Sequence, residues 1–110
     1  MENIGGNITA SLQKRTSVKN KLGEGIVSYE TIDTLTGFLD MATGSAKYTS
    51  YNAKITESTH VFICDYKELA VDEETARMVI NGRNYDVTYI DNPMGLNYHL
   101  EIFLKYIGGQ

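Results

Sequence analysis

The 110-residue chain has no tryptophan, one cysteine, one proline and two histidines, and each shortage removes a class of protein. A lone Cys64 excludes an intramolecular disulfide framework and fits synthesis in a reducing compartment. One cysteine and two well-separated histidines lack the ligand spacing of a zinc site. No apolar run approaches the ~20 residues of a membrane-spanning helix. Met1-Glu2-Asn3 is not a basic start followed by an apolar stretch, so export by a signal peptide is not expected. At this length the chain is expected to fold as one domain, 1–110, with flexible ends at 1–7 and 108–110.

What the chain does contain is tyrosine and unevenly placed charge. Eight tyrosines suit a β-rich protein with amphipathic surface aromatics. The net charge is −4, yet Lys14, Arg15, Lys19 and Lys21 give residues 14–21 a charge of +4, leaving −8 on the remainder. Between Asp65 and Glu74, the acids Asp65, Glu68, Asp72, Glu73 and Glu74 oppose Lys67 alone, a local −4. A globally acidic protein is a poor candidate for salt-driven nucleic-acid binding. A local basic loop remains compatible with passing phosphates or an acidic neighbour.

The second half reads as antiparallel strands. Asn81-Gly82 between apolar, β-branched runs is a hairpin signal, because a type I′ turn needs positive φ at both central residues. Pairing outward sets Ile80 against Arg83, Met78 against Tyr85, Arg77 against Asp86 and Ala76 against Val87. One face then gathers Ala76, Met78, Ile80, Tyr85 and Val87, and the other makes an Arg77–Asp86 charge pair. His60, Phe62, Cys64 and Tyr66 alternate in a preceding strand. In the last strand Leu100, Ile102, Leu104 and Tyr106 take one face, and His99, Glu101, Phe103 and Lys105 the other. The Asp91-Asn92-Pro93 break separates these strands, and Asp72 is a candidate cap for a brief turn.

In the first half, Ile8, Ala10 and Leu12 alternate with polar residues, followed by the basic loop and the turn residues Gly23-Glu24-Gly25. From Ile26 to Met41 the alternation slips: Val27 and Tyr29 share a phase with Leu35, but Ile32 and Phe38 lie on the other. A bulge or break near residues 31–36 reconciles this, and Gly37 suits a bend. Thr43 to Ile55 places Tyr48, Tyr51 and Ile55 at helical spacing, predicting a weak short helix or ordered loop. The sum is a mainly β fold: a small antiparallel barrel or sandwich of five to six strands, with one short helix between strands 2 and 3.

The order Thr59-His60-Val61-Phe62-Ile63, Met78-Val79-Ile80-Asn81-Gly82-Arg83-Asn84-Tyr85, Asn92-Pro93 and Leu100-Glu101-Ile102 resembles the phage head–tail joining family. These are small head-completion, head-closure or stopper proteins of the virion neck. Gly44 matches a glycine after the second strand, and the likeness runs from Ile8 to Ile107. The family's first-half aromatic, often tryptophan, has only Phe38 to stand for it. The resemblance implies a non-enzymatic structural protein made in the bacterial host's cytoplasm, often from a prophage, and carried in the virion neck. It implies a dodecameric ring beneath the portal and adaptor proteins, with packaged DNA inside and the tail-completion protein below, from subunits monomeric in isolation. It also implies that the segment between strands 2 and 3 faces the channel, placing Lys47, Tyr48, Tyr51, Asn52 and Lys54 at or near the lumen.

Candidate sites follow from charge more than from chemistry. His60 and Cys64, four residues apart on a strand, stand roughly 13 Å from each other, too far for a nucleophilic pair. Asp72-Glu73-Glu74 lacks the spacing of a calcium loop, and Gly23-Glu24-Gly25 lacks the lysine of a phosphate loop. No catalytic residue, metal or cofactor is expected. The basic loop (Lys14, Arg15, Lys19, Lys21) is a candidate for DNA or inter-subunit contact, with Glu68, Asp72, Glu73 and Glu74 as the acidic patch it could meet in a ring. Phe103, on the outward phase, is a candidate assembly surface. The alternative function is a small OB-like nucleic-acid-binding barrel using the basic loop and tyrosines.

Overall fold

The computed structural model describes residues 5–42 and 58–109. Six strands form in chain order: β1 (Ile8–Lys19), β2 (Gly25–Met41), β3 (His60–Asp65), β4 (Ala76–Ile80), β5 (Arg83–Asp91) and β6 (His99–Gly109). They close into an antiparallel barrel in the order β1-β2-β3-β6-β5-β4, with β4 pairing back onto β1. Closure matters physically, because it removes the free edges that a six-stranded sheet would otherwise expose. Single 3₁₀ turns at Glu73–Thr75 and Pro93–Gly95 are the described helical pieces. The short helix expected between strands 2 and 3 falls on residues outside the described ones.

The hairpin follows its sequence signal. Asn81 and Gly82 take φ of 52° and 76°, and Arg77 faces Asp86, Met78 faces Tyr85 and Ile80 faces Arg83. Ala76, Met78, Ile80, Tyr85 and Val87 are all buried. With Leu12, Phe62, Ile102 and Leu104, which have essentially no exposure, they fill the barrel interior. Each such side chain contributes about 1.5–3 kcal/mol relative to exposure.

The slip in β2 is a bulge. Leu12 pairs with Asp33 but Gln13 pairs with Thr31, so Ile32 has no opposite number. The extra residue changes the phase: Leu35 and Gly37 turn inward and are buried, whereas Val27 and Tyr29 stay outside. Gly37 has a packing reason as well. A Cβ there would overlap the carbonyl oxygen of Ile63 and come to 3.0 Å from the Cβ of Cys64.

Four expectations are corrected. The basic stretch is not a loop: Lys14, Arg15 and Lys19 lie within β1, and only Lys21 belongs to the turn. The β-branched residues Thr16, Val18, Ile26 and Val27 sit in these paired segments and continue the ladder past the barrel. Arg77 faces Asp86 across the ladder, but its guanidinium leans the other way. Its Nε donates to Gln13 Oε1 at 2.8 Å and its Cζ lies 3.5 Å from the Tyr29 ring centre. Asp72 caps the turn with its backbone carbonyl, which accepts from Thr75 N at 3.1 Å, rather than with its carboxylate.

The last correction concerns β6. Phe103 is 3 % exposed, packed beside Tyr89 with ring centres 6.4 Å apart, outside the interior cluster. Tyr106, expected inside, is 44 % exposed. The register of β5 on β6 shifts between Val87 and Tyr89, which brings Tyr89 opposite Phe103 and gives that ring a cover on the outer face.

Candidate assembly surfaces

Because every neighbouring pair in the barrel is antiparallel, the connections sort onto two ends. The β1–β2 turn, residues 66–75 and residues 92–98 share one end. The Asn81-Gly82 turn shares the other with the end of β2 at Met41 and the start of β3 at His60. The basic and acidic stretches therefore lie at the same end, and the expected channel segment departs from the opposite one. Lys47, Tyr48, Tyr51, Asn52 and Lys54 themselves lie outside the described residues, as does Gly44.

At the charged end, β1 and β2 outrun their neighbours. β4 follows β1 only as far as the Lys14–Ala76 pair, and β3 follows β2 only from the Gly37–Cys64 pair onward. Beyond these points a two-stranded ribbon projects, consistent with a long axis of 50 Å against 30 and 28 Å for the others. Its tip is held by Asn20, whose Oδ1 accepts from the N–H groups of Leu22 and Glu24 at 2.9 Å each. This side chain mimics backbone and fixes the turn. Cross-strand bonds such as Thr16 Oγ1 to Ser28 Oγ at 2.9 Å stiffen the shaft.

The acidic patch is only partly available. Glu73 Oε2 accepts the backbone N–H of Ile90 at 2.6 Å, tying the Glu73–Thr75 turn to β5. Arg15, Glu73 and Glu74 line one cleft of about 370 Å³. Lys67 donates to Asp33 Oδ1 at 2.7 Å. That hydrogen bond holds the Asp33 carboxyl below its usual range, against an opposing effect of burial. Glu68, Asp72 and Glu74 make up the rest of the patch.

No nucleophilic pair forms among the described residues. Burial pushes the Cys64 thiol up to about 11, with Asp65 and Asp33 adding to the shift, so the thiolate is scarce at neutral pH. His60 Nδ1 shares a hydrogen bond with Thr59 Oγ1 at 2.8 Å and its ring meets Tyr85 edge-on at 5.2 Å. His99 Nε2 lies 3.2 Å from Glu101 Oε2. Among the described residues no group of three or more histidine, cysteine or acidic side chains is placed to hold a metal. Nor is any helix there long and apolar enough to cross a membrane.

The model of the phage head completion protein family matches residues 7–106. The chain belongs to that family. Its members are structural proteins of the phage particle, so a structural, head-completing role in the virion follows for this chain. A solution structure of protein SF1141 from Shigella flexneri 2a is similar in fold, with a TM-score of 0.71 at 19 % identity over 96 % of each chain. Among curated proteins no match is found. Nothing in these comparisons supports the alternative of an OB-like nucleic-acid-binding barrel.

Sequence reasoning missed the head-completion protein's ribbon. Val18, Leu22, Ile26 and Val27 are 61 %, 83 %, 50 % and 57 % exposed on it, an unusual load of apolar surface for a projecting hairpin. The signal was present: Thr16 and Val18 continue the alternation of β1 through the lysines. It was hidden because clustered positive charge reads as loop. A second exposed group, Met94, Leu96 and Tyr98, lies on the 92–98 loop at the same end.

Proposed function

We propose that this head-completion protein adds as a ring beneath the portal and adaptor proteins, closes the DNA channel after packaging and offers a surface to the tail. The observation that carries this reading is the division of the barrel into two unlike ends. One end bears the projecting basic ribbon, the acidic patch and the exposed 92–98 loop. The other gives rise to the long connection between β2 and β3, the only one in the chain rich enough in tyrosine and lysine to line a DNA channel. In that connection Lys47, Tyr48, Tyr51, Asn52 and Lys54 form the occluding segment. Tyrosines supply contact area at low entropic cost, and lysines tolerate passing phosphates. Adjacent subunits meet heterologously, with Lys14, Arg15, Lys19 and Lys21 of one copy facing Glu68, Asp72 and Glu74 of the next. Charge of this kind sets register and encounter more than affinity. At low concentration the isolated subunit is monomeric, and the ring forms on its template.

Heads lacking this protein provide the assay. Deleting Tyr48–Asn52 should leave the protein bound to heads but let packaged DNA escape. Particles that hold DNA as well as wild type would remove the gate from this reading. Reversing Lys19 and Lys21 to glutamate should lower ring incorporation at low salt, and unchanged occupancy would remove the charge pairing.

A further inference from the structure

We infer that the projecting ribbon is an inter-subunit pairing element, in which the free edge of β2 in one copy takes the free edge of β1 from the next copy. The inference deepens the ring reading and rests on it only in requiring identical copies side by side.

Both edges of the ribbon lack a strand partner among the described residues. Among the described residues, β1 beyond Lys14 and β2 from Gly25 to Thr31 pair only with each other, so each strand leaves one row of backbone donors and acceptors without a strand partner. Such edges template pairing with another chain unless they are guarded. The segment Gly25–Thr31 has no proline and no lysine, and the bulge comes only after it, at Ile32. Beyond Tyr29, which Arg77 covers, a two-stranded ribbon is marginal alone, and three or more strands are needed for independent stability. The exposed Val18, Leu22, Ile26 and Val27 are the side chains such an addition would cover.

Charge selects the occupant. Residues 13–19 carry Lys14, Arg15 and Lys19 with no acid, whereas residues 24–31 carry Glu24 and Glu30 with no base. Pairing β1 with β1, or β2 with β2, would oppose like charges, which is destabilising. Pairing β2 with a neighbour's β1 opposes unlike ones. Direction agrees: copies arrayed in one orientation set an ascending β1 beside a descending β2, the same antiparallel relation as within the hairpin. Lys14 is already paired with Ala76 on its outer side, so the open span of β1 is Arg15–Lys19, and the hairpin's own register repeated between copies sets Val18 against Ile26 and Lys19 against Gly25, next to Glu24. This contact is heterologous, and so it propagates around a ring rather than stopping at a dimer. A neighbour's ribbon lying along β2 also brings its lysines toward Asp65–Lys67, which flank Thr34–Thr36 of β2 in a shared cleft.

The test uses the full chain in solution at low salt and high concentration, with a carbodiimide that joins carboxylates to lysine amines at contact distance. A mixture of normal and ¹⁵N-labelled protein should give Lys19–Glu24 links of mixed isotope composition. Links confined to single-isotope chains would overturn the proposal. Lys19→Glu and Glu24→Lys alone should each lose the link, and the two variants mixed should regain it, because in the mixture only two different chains can supply the reacting pair. No link in the mixture would overturn it equally. Because no heads are involved, failure here leaves the DNA-retention result standing, and a negative result with heads leaves this one standing.

Discussion

Gly37 is a position where one added methyl group should destabilise the barrel directly. It sits in β2 opposite Cys64 of β3, and a Cβ built there runs into the backbone carbonyl of Ile63 rather than into a side chain that could swing aside. Relief therefore requires β2 and β3 to separate at the first pair of their ladder. Overpacking against backbone falls in the upper part of the usual range, about 2–3 kcal/mol. Against it stands a gain of about 0.4–1 kcal/mol from restricting the unfolded chain. At about 2.1 cal/mol/K per residue the unfolding entropy of a chain this size makes 1 kcal/mol worth about 4 °C, so Gly37→Ala should melt about 4–10 °C below wild type by calorimetry. Gly25→Ala is the control, because its Cβ meets only Ser17 Oγ at 3.7 Å. It should melt at or slightly above wild type. A Gly37→Ala protein melting within about 2 °C of wild type would refute the packing argument.

Two further outcomes concern ionisation. Burial, then the charge of Glu101, raise the Asp91 carboxyl above its usual value, partly countered by His99. Ionised Asp91 therefore costs stability above its folded pKa, and that cost disappears as pH falls through it. Asp91→Asn should raise the melting temperature at pH 7, with the difference closing in acid; an equal or lower value at pH 7 would contradict this. Cys64, 2 % exposed and with its thiol pushed up to about 11, should resist a disulfide reagent at pH 8 in the native protein and react as one thiol in urea. Rapid native reaction would show that β3 opens far more readily than its packing implies.

The legible parts of the chain were those set by local stereochemistry and period. Asn81-Gly82 dictates its turn because few residue pairs tolerate two successive positive φ values, and the turn then fixes the register of Met78 on Tyr85. The broken alternation, with Ile32 and Phe38 out of phase with Val27, Tyr29 and Leu35, announced a bulge before its position at Ile32 was visible. The charge segregation was equally plain. What alternation could not give was the state of the outer face. Phe103 is on the outward phase yet buried, because the register shift in β5 brings Tyr89 against it. The Arg77 guanidinium turns from Asp86 to Gln13 and Tyr29 for a similar reason, since closure of the barrel sets β1 beside β4.

The sequence by itself determined that this would be an antiparallel β protein of the head-completion family, since turn chemistry and side-chain period act over a few residues. Tertiary structure alone decided where the strands lose their neighbours, because that depends on the relative lengths of elements far apart in the chain. β4 and β3 are short, β1 and β2 are long, and the difference turns a run of lysines into a projecting ribbon whose two edges have no strand partner among the described residues.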